Sequence, residues 1–184
     1  MALKNKQLMV VSCGLALQAF ILVLLNAFIP KLAGLPEGKD ALWIAFQAWA
    51  VYFLAGCTPM GGVKAWIGYA TGIAASIAII ELMTGAPGIK GIPLVSGMNV
   101  AMAVAVFIVV IPAIMSENLK NMVPALFIGS GAFFGLFTIM NCDADLTPCY
   151  LLATRVELVY CAVGLLFGFI TVFWRGKYEA WLNK

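Results

Sequence analysis

The sequence predicts an all-α, polytopic membrane protein: a bundle of six transmembrane helices with both termini cytoplasmic. Three observations predict it. Hydrophobic residues make up 64% of the 184 residues and charged residues only 10%, where a soluble domain carries roughly a quarter charged. Mean hydropathy is +1.03, and apolar runs long enough to cross about 30 Å of hydrocarbon alternate with short stretches of Gly, Pro and charge. Finally, Lys and Arg are distributed unevenly among those short stretches, as the positive-inside rule requires of a multi-span chain.

Each element follows from its breakers. Lys4 and Lys6 precede an apolar run from Leu8 to Ile29. That run exceeds the 7–15 residues of a signal-peptide core and has no small-x-small cleavage site after it, so it reads as a retained first helix over residues 7–30. Gly34, Pro36 and Gly38 mark a loop. A second helix covers 41–57, and Thr58-Pro59-Met60-Gly61-Gly62 reads as a tight turn before a third over 63–84. Gly85 to Gly88 opens another loop. The fourth helix covers 94–115, with Pro112 in its last turn. Polar residues 116–121 lead to a fifth helix over 122–141, and the loop from Cys142 to Pro148 leads to a sixth over 149–174. Six spans of about 20 residues use roughly 120 residues, which leaves a single transmembrane domain over 1–184 and no separate soluble one.

Orientation follows from the basic residues. Lys4, Lys6, Lys64, Lys120, Arg175, Lys177 and Lys184 fall on one side, and only Lys31, Lys39 and Lys90 on the other. The richer side is cytoplasmic by rule, which places both termini inside.

Small residues recur at four-residue spacing: Gly68, Gly72 and Ser76; Gly131 and Gly135; Gly164 and Gly168. Such stripes let helix backbones approach closely in lipid. They serve helix packing within one chain, an oligomer seam or a pore-lining face.

Strongly polar groups gather in the half of the bundle away from the termini. Arg155 lies roughly 10 Å in from the outer end of the sixth helix, and Glu157 about 3 Å deeper. Glu81, Asn99, Gln47, Asn26 and Asn141 share that half, while Gln18 sits near the middle. Charges at such depth face protein or water and mark a functional-site hypothesis. Arg155 and Glu157, two residues apart, point to different sides of their helix and need separate partners. Glu81 is the expected partner of Arg155, with Asp143 and Asp145 as alternatives. The cluster reads as an ion pair fixing two helices, as a snorkelling arginine, or as a water-filled vestibule lined by Glu81, Asn99, Arg155 and Glu157. A proton-coupled carrier needs a carboxyl that exchanges a proton, and the deeper Glu157 is the candidate.

Several function classes are excluded. The chain has no histidine, which removes the commonest general base and most zinc and haem sites, so no enzyme, metal or cofactor is expected. The net charge of +3 is too small and scattered for nucleic acid. Of the five cysteines, Cys13, Cys57 and Cys161 read as small apolar side chains, whereas Cys142 and Cys149 flank one outer loop and can close a disulfide if that side is oxidising.

Ala48-Trp49-Ala50-Val51-Tyr52-Phe53-Leu54-Ala55-Gly56, followed by Pro59-Met60-Gly61-Gly62-Val63-Lys64, resembles the YcdZ-like family of small bacterial inner-membrane proteins. Val123 to Gly129 and Gly164 to Phe169 extend the likeness in order over most of the chain. The resemblance implies a multi-span protein of the bacterial inner membrane and brings no substrate or site residue. The same hairpin is loosely similar to exporters of the fusaric-acid-resistance type. The expected function is a small-solute channel or facilitative permease, homo-oligomeric because so few helices enclose little space. The alternatives are a non-transporting scaffold or accessory subunit, and a proton-coupled small-molecule exporter.

Overall fold

Proline and glycine decide where these helices stop. The computed structural model describes residues 5–85, 97–118, 122–140 and 146–182. These form seven α-helices and no strand: α1 Asn5–Leu25, α2 Ile29–Ala33, α3 Leu42–Leu54, α4 Pro59–Gly85, α5 Gly97–Asn118, α6 Val123–Met140 and α7 Leu146–Leu182. The predicted loops at 86–93 and 142–148, with Asn141, Cys142, Asp143 and Asp145, fall wholly or largely outside the described residues, as does the turn at 119–121.

Three boundaries differ from those the apolar runs suggest. The helix expected over 7–30 breaks after Leu25. Pro30 offers no N–H to the carbonyl four residues back and crowds it, so α1 closes with three-residue bonds, Ala27 N to Leu24 O and Phe28 N to Leu25 O. α2 restarts with Pro30 in its first turn and ends at Gly34, left-handed at φ 84°. Residues 58–62, a turn by composition, instead open α4. The Gly61 N–H donates to Thr58 Oγ1 at 2.9 Å, which caps a helix that begins at Pro59. The chain reverses just before, at Gly56 and Cys57. Lastly, α7 runs past Trp174 and carries the tail as one helix of 37 residues, because Gly176 alone is too weak a breaker to end it.

Two tight seams organise the bundle. Where α7 meets α3, a Cβ on Gly164 would collide with the Ala45 carbonyl oxygen, and one on Gly168 would stand 2.5 Å from Tyr52 Cβ. Where α4 meets α6, a Cβ on Gly72 would collide with the Leu126 carbonyl oxygen, and one on Gly68 would stand 2.7 Å from Ala125 Cβ. Ser76 and Ser130 add a hydroxyl pair across this second seam at 2.7 Å. Contacts advance along both partners together, from Ala45–Gly164 to Tyr52–Gly168 and from Gly68–Ala125 to Gly72–Ser130, so each seam joins parallel helices. A Cβ added at Gly135 would stand 3.0 Å from the Trp43 ring, whereas Gly131 has open space beside it.

The two pairs run in opposite directions, since Tyr150 at the start of α7 stacks on Phe137 near the end of α6. α1 lies antiparallel to α7, with Gly14 against the Trp174 ring and Asn26 bonded to Tyr160. α5 packs on α4. Exchanging α1, α3 and α4 for α5, α6 and α7 therefore maps one seam onto the other, and the α1–α7 contact onto α5–α4. The α4–α7 and α3–α6 contacts map onto themselves. The α5–α6 contact has no equally extensive counterpart between α1 and α3, and α2 has none at all. The contacts of α1, α3 and α4 thus parallel those of α5, α6 and α7 in pattern, although α4–α5 packing is far more extensive than α1–α7, and the small residues of the seams recur without any obvious self-similarity of sequence.

Four helices are long and apolar enough to cross a membrane: Gln7–Leu25, Pro59–Met83, Val123–Met140 and Leu146–Leu182. Leu42–Leu54 and Met102–Ser116 are shorter apolar helices; at 1.5 Å per residue α3 reaches only about 20 Å. Leu8, Leu17, Phe20 and Leu24 on α1 and Phe107, Ile108 and Met115 on α5 are exposed, as expected of side chains that face lipid. The chain is therefore a membrane protein by its helices.

A methyl group added at a seam should be felt and one added at an open glycine should not. Gly164→Ala is expected to destabilise by about 1–3 kcal/mol through overpacking, and Gly131→Ala to change stability by no more than about 0.5 kcal/mol. Thermal unfolding of both variants in the same detergent checks this.

Candidate functional site

The inward face of α7 carries the polar groups that matter. Ala153, Val156, Glu157, Tyr160, Cys161, Gly164, Gly168 and Thr171 are buried at three- and four-residue spacing, the stripe a helix presents to a bundle. Glu157 is 0% exposed, and neither carboxyl oxygen has a hydrogen-bond partner among the described residues. It lies within electrostatic range of Tyr69 on α4 and Cys161 on the next turn. The Tyr69 hydroxyl is buried and likewise has no partner. An isolated buried carboxylate is costly, which sets this group apart from every other side chain of the stripe. It also stands at the α4–α7 contact, which maps onto itself when the two halves are exchanged.

Arg155 points the other way. Its Nη2 donates to the Leu32 carbonyl at 2.9 Å, at the end of α2, where a cation satisfies free carbonyls and favours the helix dipole. Below it, the Tyr160 hydroxyl donates to Asn26 Oδ1 at 2.9 Å, and Asn26 Nδ2 donates to Asp40 Oδ1 at 3.0 Å. Asp40 Oδ1 also accepts the Leu42 N–H at 2.8 Å, which anchors the start of α3. These bonds tie the α1–α2 break and the α2–α3 loop to α7.

A second polar cluster sits towards the opposite end. Trp49 Nε1 donates to Thr171 Oγ1 at 3.0 Å. The Thr171 hydroxyl faces Gln18 Oε1 at 2.5 Å and its own-helix Phe167 carbonyl at 2.8 Å. Having one hydrogen, it serves one of these acceptors at a time. The cluster joins α1, α3 and α7.

The profile of a family described as "Protein of unknown function (DUF1097)" matches residues 12–175. The chain belongs to the DUF1097 family. No curated protein and no solved structure matches it. The DUF1097 match runs from α1 to the last third of α7 and so includes every residue of both polar clusters.

Within that DUF1097 region the residues singled out from sequence separate. Glu157 is interior and Arg155 is exposed, as their two-residue spacing implies. Glu81 is in electrostatic contact with Tyr150, so it is not the partner of Arg155, whose bond goes to Leu32; the pairing read from similar depth overlooked α2, which a broken first helix brings closer. Gln47 is exposed on α3. Asn99 lies in the first turn of α5, whose side chains lie outside the described residues. Gln18 joins Thr171 and Trp49, away from the others. Cys149 is disulfide-bonded and Cys142 lies outside the described residues, while Cys13, Cys57 and Cys161 are free. No group of three or more metal-ligating side chains occurs among the described residues. Sequence reasoning missed Tyr69 and Trp49 because an aromatic on an apolar helix resembles any other. Thr171 was within reach, since it lies 14 residues from Glu157 and so on the same helical face.

Thr171→Val keeps the shape of the buried cluster but leaves Trp49 Nε1 and Gln18 unpaired. It is expected to destabilise by about 1–3 kcal/mol, and Thr171→Ser by less; melting of the two variants in detergent distinguishes them.

Proposed function

We propose that this DUF1097 protein is a small-solute permease of six spans, working as a gated carrier in the bacterial inner membrane with both termini cytoplasmic. The observation that carries the reading is the parallel contact pattern of α1, α3, α4 and α5, α6, α7, with Glu157, unpartnered among the described residues, at the α4–α7 contact that maps onto itself. Carriers built from inverted halves keep substrate and coupling-ion sites at the interface between halves and move one bundle of helices against another. Here the bundles are the seam-joined pairs α3–α7 and α4–α6, each drawing one helix from either half. Glu157 is the coupling group: it takes up a proton or cation on one side and releases it on the other. Tyr69 faces it from the opposing half.

A continuously open channel is less well supported, because Tyr52, Tyr69, Tyr160 and Phe133 are all fully buried in the interior. Arg155, Glu81 and Gln47 then have roles at the rim, in helix anchoring and surface contact. The apolar faces of α1 and α5 meet lipid or a second copy of the chain.

Purified protein in liposomes, given a panel of small neutral and anionic solutes, is expected to pass at least one of them faster than empty vesicles. An imposed proton gradient should accelerate that flux. Glu157→Gln, which is nearly isosteric, should abolish the acceleration while keeping a wild-type melting transition. Equal acceleration in Glu157→Gln removes the coupling role, and no flux of any solute favours the non-transporting scaffold.

A further inference from the structure

A cleft of about 380 Å³ opens between α1, α3 and α7, towards the end of the bundle where α1 begins and α7 finishes. Leu15, Phe53 and Val172 form its apolar walls, with Thr171 at its inner limit and Arg175 and Glu179 on successive turns of α7 towards its mouth. Thr171 is 3% exposed and engaged by Trp49 and Gln18, so the interior of the cleft offers little to a polar guest. The mouth differs. Arg175 Nε donates to Glu179 Oε1 at 2.7 Å, and both side chains remain substantially exposed, 52% and 39%. The guanidinium has four further N–H donors with no partner among the described residues, and Glu179 keeps a second carboxylate oxygen.

Surrounding groups place this mouth at a membrane boundary. Trp174, Tyr178 and Trp181 follow one another on α7, with Tyr178 stacked on Trp181 and Lys177 over the Phe173 ring at 5.6 Å. Aromatic and basic side chains in this arrangement are typical of the headgroup layer. Basic sites between helices at this level hold lipid headgroups. The cleft is too apolar for a polar solute, and its mouth is not simply cationic, because a carboxylate stands one turn from the arginine.

We propose that this cleft binds a phospholipid whose headgroup carries both a phosphate and a primary ammonium, a phosphatidylethanolamine. One acyl chain lies between Leu15, Phe53 and Val172; the phosphate accepts from the free guanidinium nitrogens of Arg175, and the ammonium donates to Glu179. A choline headgroup lacks N–H donors for the carboxylate, and a glycerol headgroup lacks the cation. The bound lipid fills the space that α1, in contact chiefly with α7, leaves uncovered. This inference is independent of solute transport.

The test is lipid binding to delipidated, detergent-purified full-length protein, followed by native mass spectrometry and by melting. Phosphatidylethanolamine is expected to be retained and to raise Tm more than phosphatidylcholine or phosphatidylglycerol, with free phosphoethanolamine giving no shift. Arg175→Gln and Glu179→Gln should each weaken binding about tenfold, the worth of one charge-assisted bond. Val172→Trp, which fills the cleft, should abolish binding, and Lys177→Gln should leave it unchanged. Equal stabilisation by phosphatidylcholine, retention of the preference in Glu179→Gln, or a shift from phosphoethanolamine alone would each overturn the proposal. Unfolding of one variant leaves the others to decide it, and the lipid comparison on the wild type decides it even without them.

Discussion

Close backbone contact across two glycine seams is the constraint on which the rest of this structure depends. In hydrocarbon, one apolar helix gains nothing by leaving lipid for another, so association rests on dispersion and shape. Gly164 and Gly168 let α7 lie against Ala45 and Tyr52, and Gly68 and Gly72 let α4 lie against Ala125 and Leu126. Side chains of ordinary size at these positions would hold the backbones apart and break the interior into cavities. Because both seams join parallel helices, each pair behaves as a unit. The pairs meet through α4–α7, α6–α7, α3–α6 and α3–α4.

Polar groups are arranged around those units rather than within a single pore. Hydroxyls and amides are paired across helices: Ser76 with Ser130, Trp49 with Thr171 and Gln18, and Tyr160 with Asn26. Each of these bonds fixes a register that dispersion alone would leave free to slide. Arg155 is used at the surface, closing the end of a five-residue helix. Glu157 differs from all of them, because it is enclosed by the chain and has no partner among the described residues. A group of that kind adds nothing to stability, and its place at the α4–α7 contact is what the proposed carrier reading rests on.

Much of the fold was legible in the sequence, for identifiable reasons. Apolar length gives the helices, since a run of about 20 residues has few alternatives. The α6 boundaries were read to within one residue because polar residues and a proline flank it. Misreadings fell where a breaker has two meanings. Pro30 interrupts a helix while Pro59 begins one, and only the neighbouring hydroxyl of Thr58 tells them apart. The site was less legible. Depth along a helix is countable, so Glu157 was found; direction across the bundle is not, so Glu81 was assigned to Arg155 when it approaches Tyr150.

The sequence by itself determined that this is an all-helical membrane chain, which faces of its helices are small enough to touch, and that Arg155 and Glu157 stand at depth along its last span. Those properties depend on local composition and on the 3.6-residue repeat, both of which survive in one dimension. Only the tertiary structure decided that α3 pairs with α7 and α4 with α6, and that Glu157 stands at the α4–α7 contact without a partner among the described residues. Small-residue stripes are interchangeable as sequence, and their pairing is set by how whole helices fit together. No single helix carries that information.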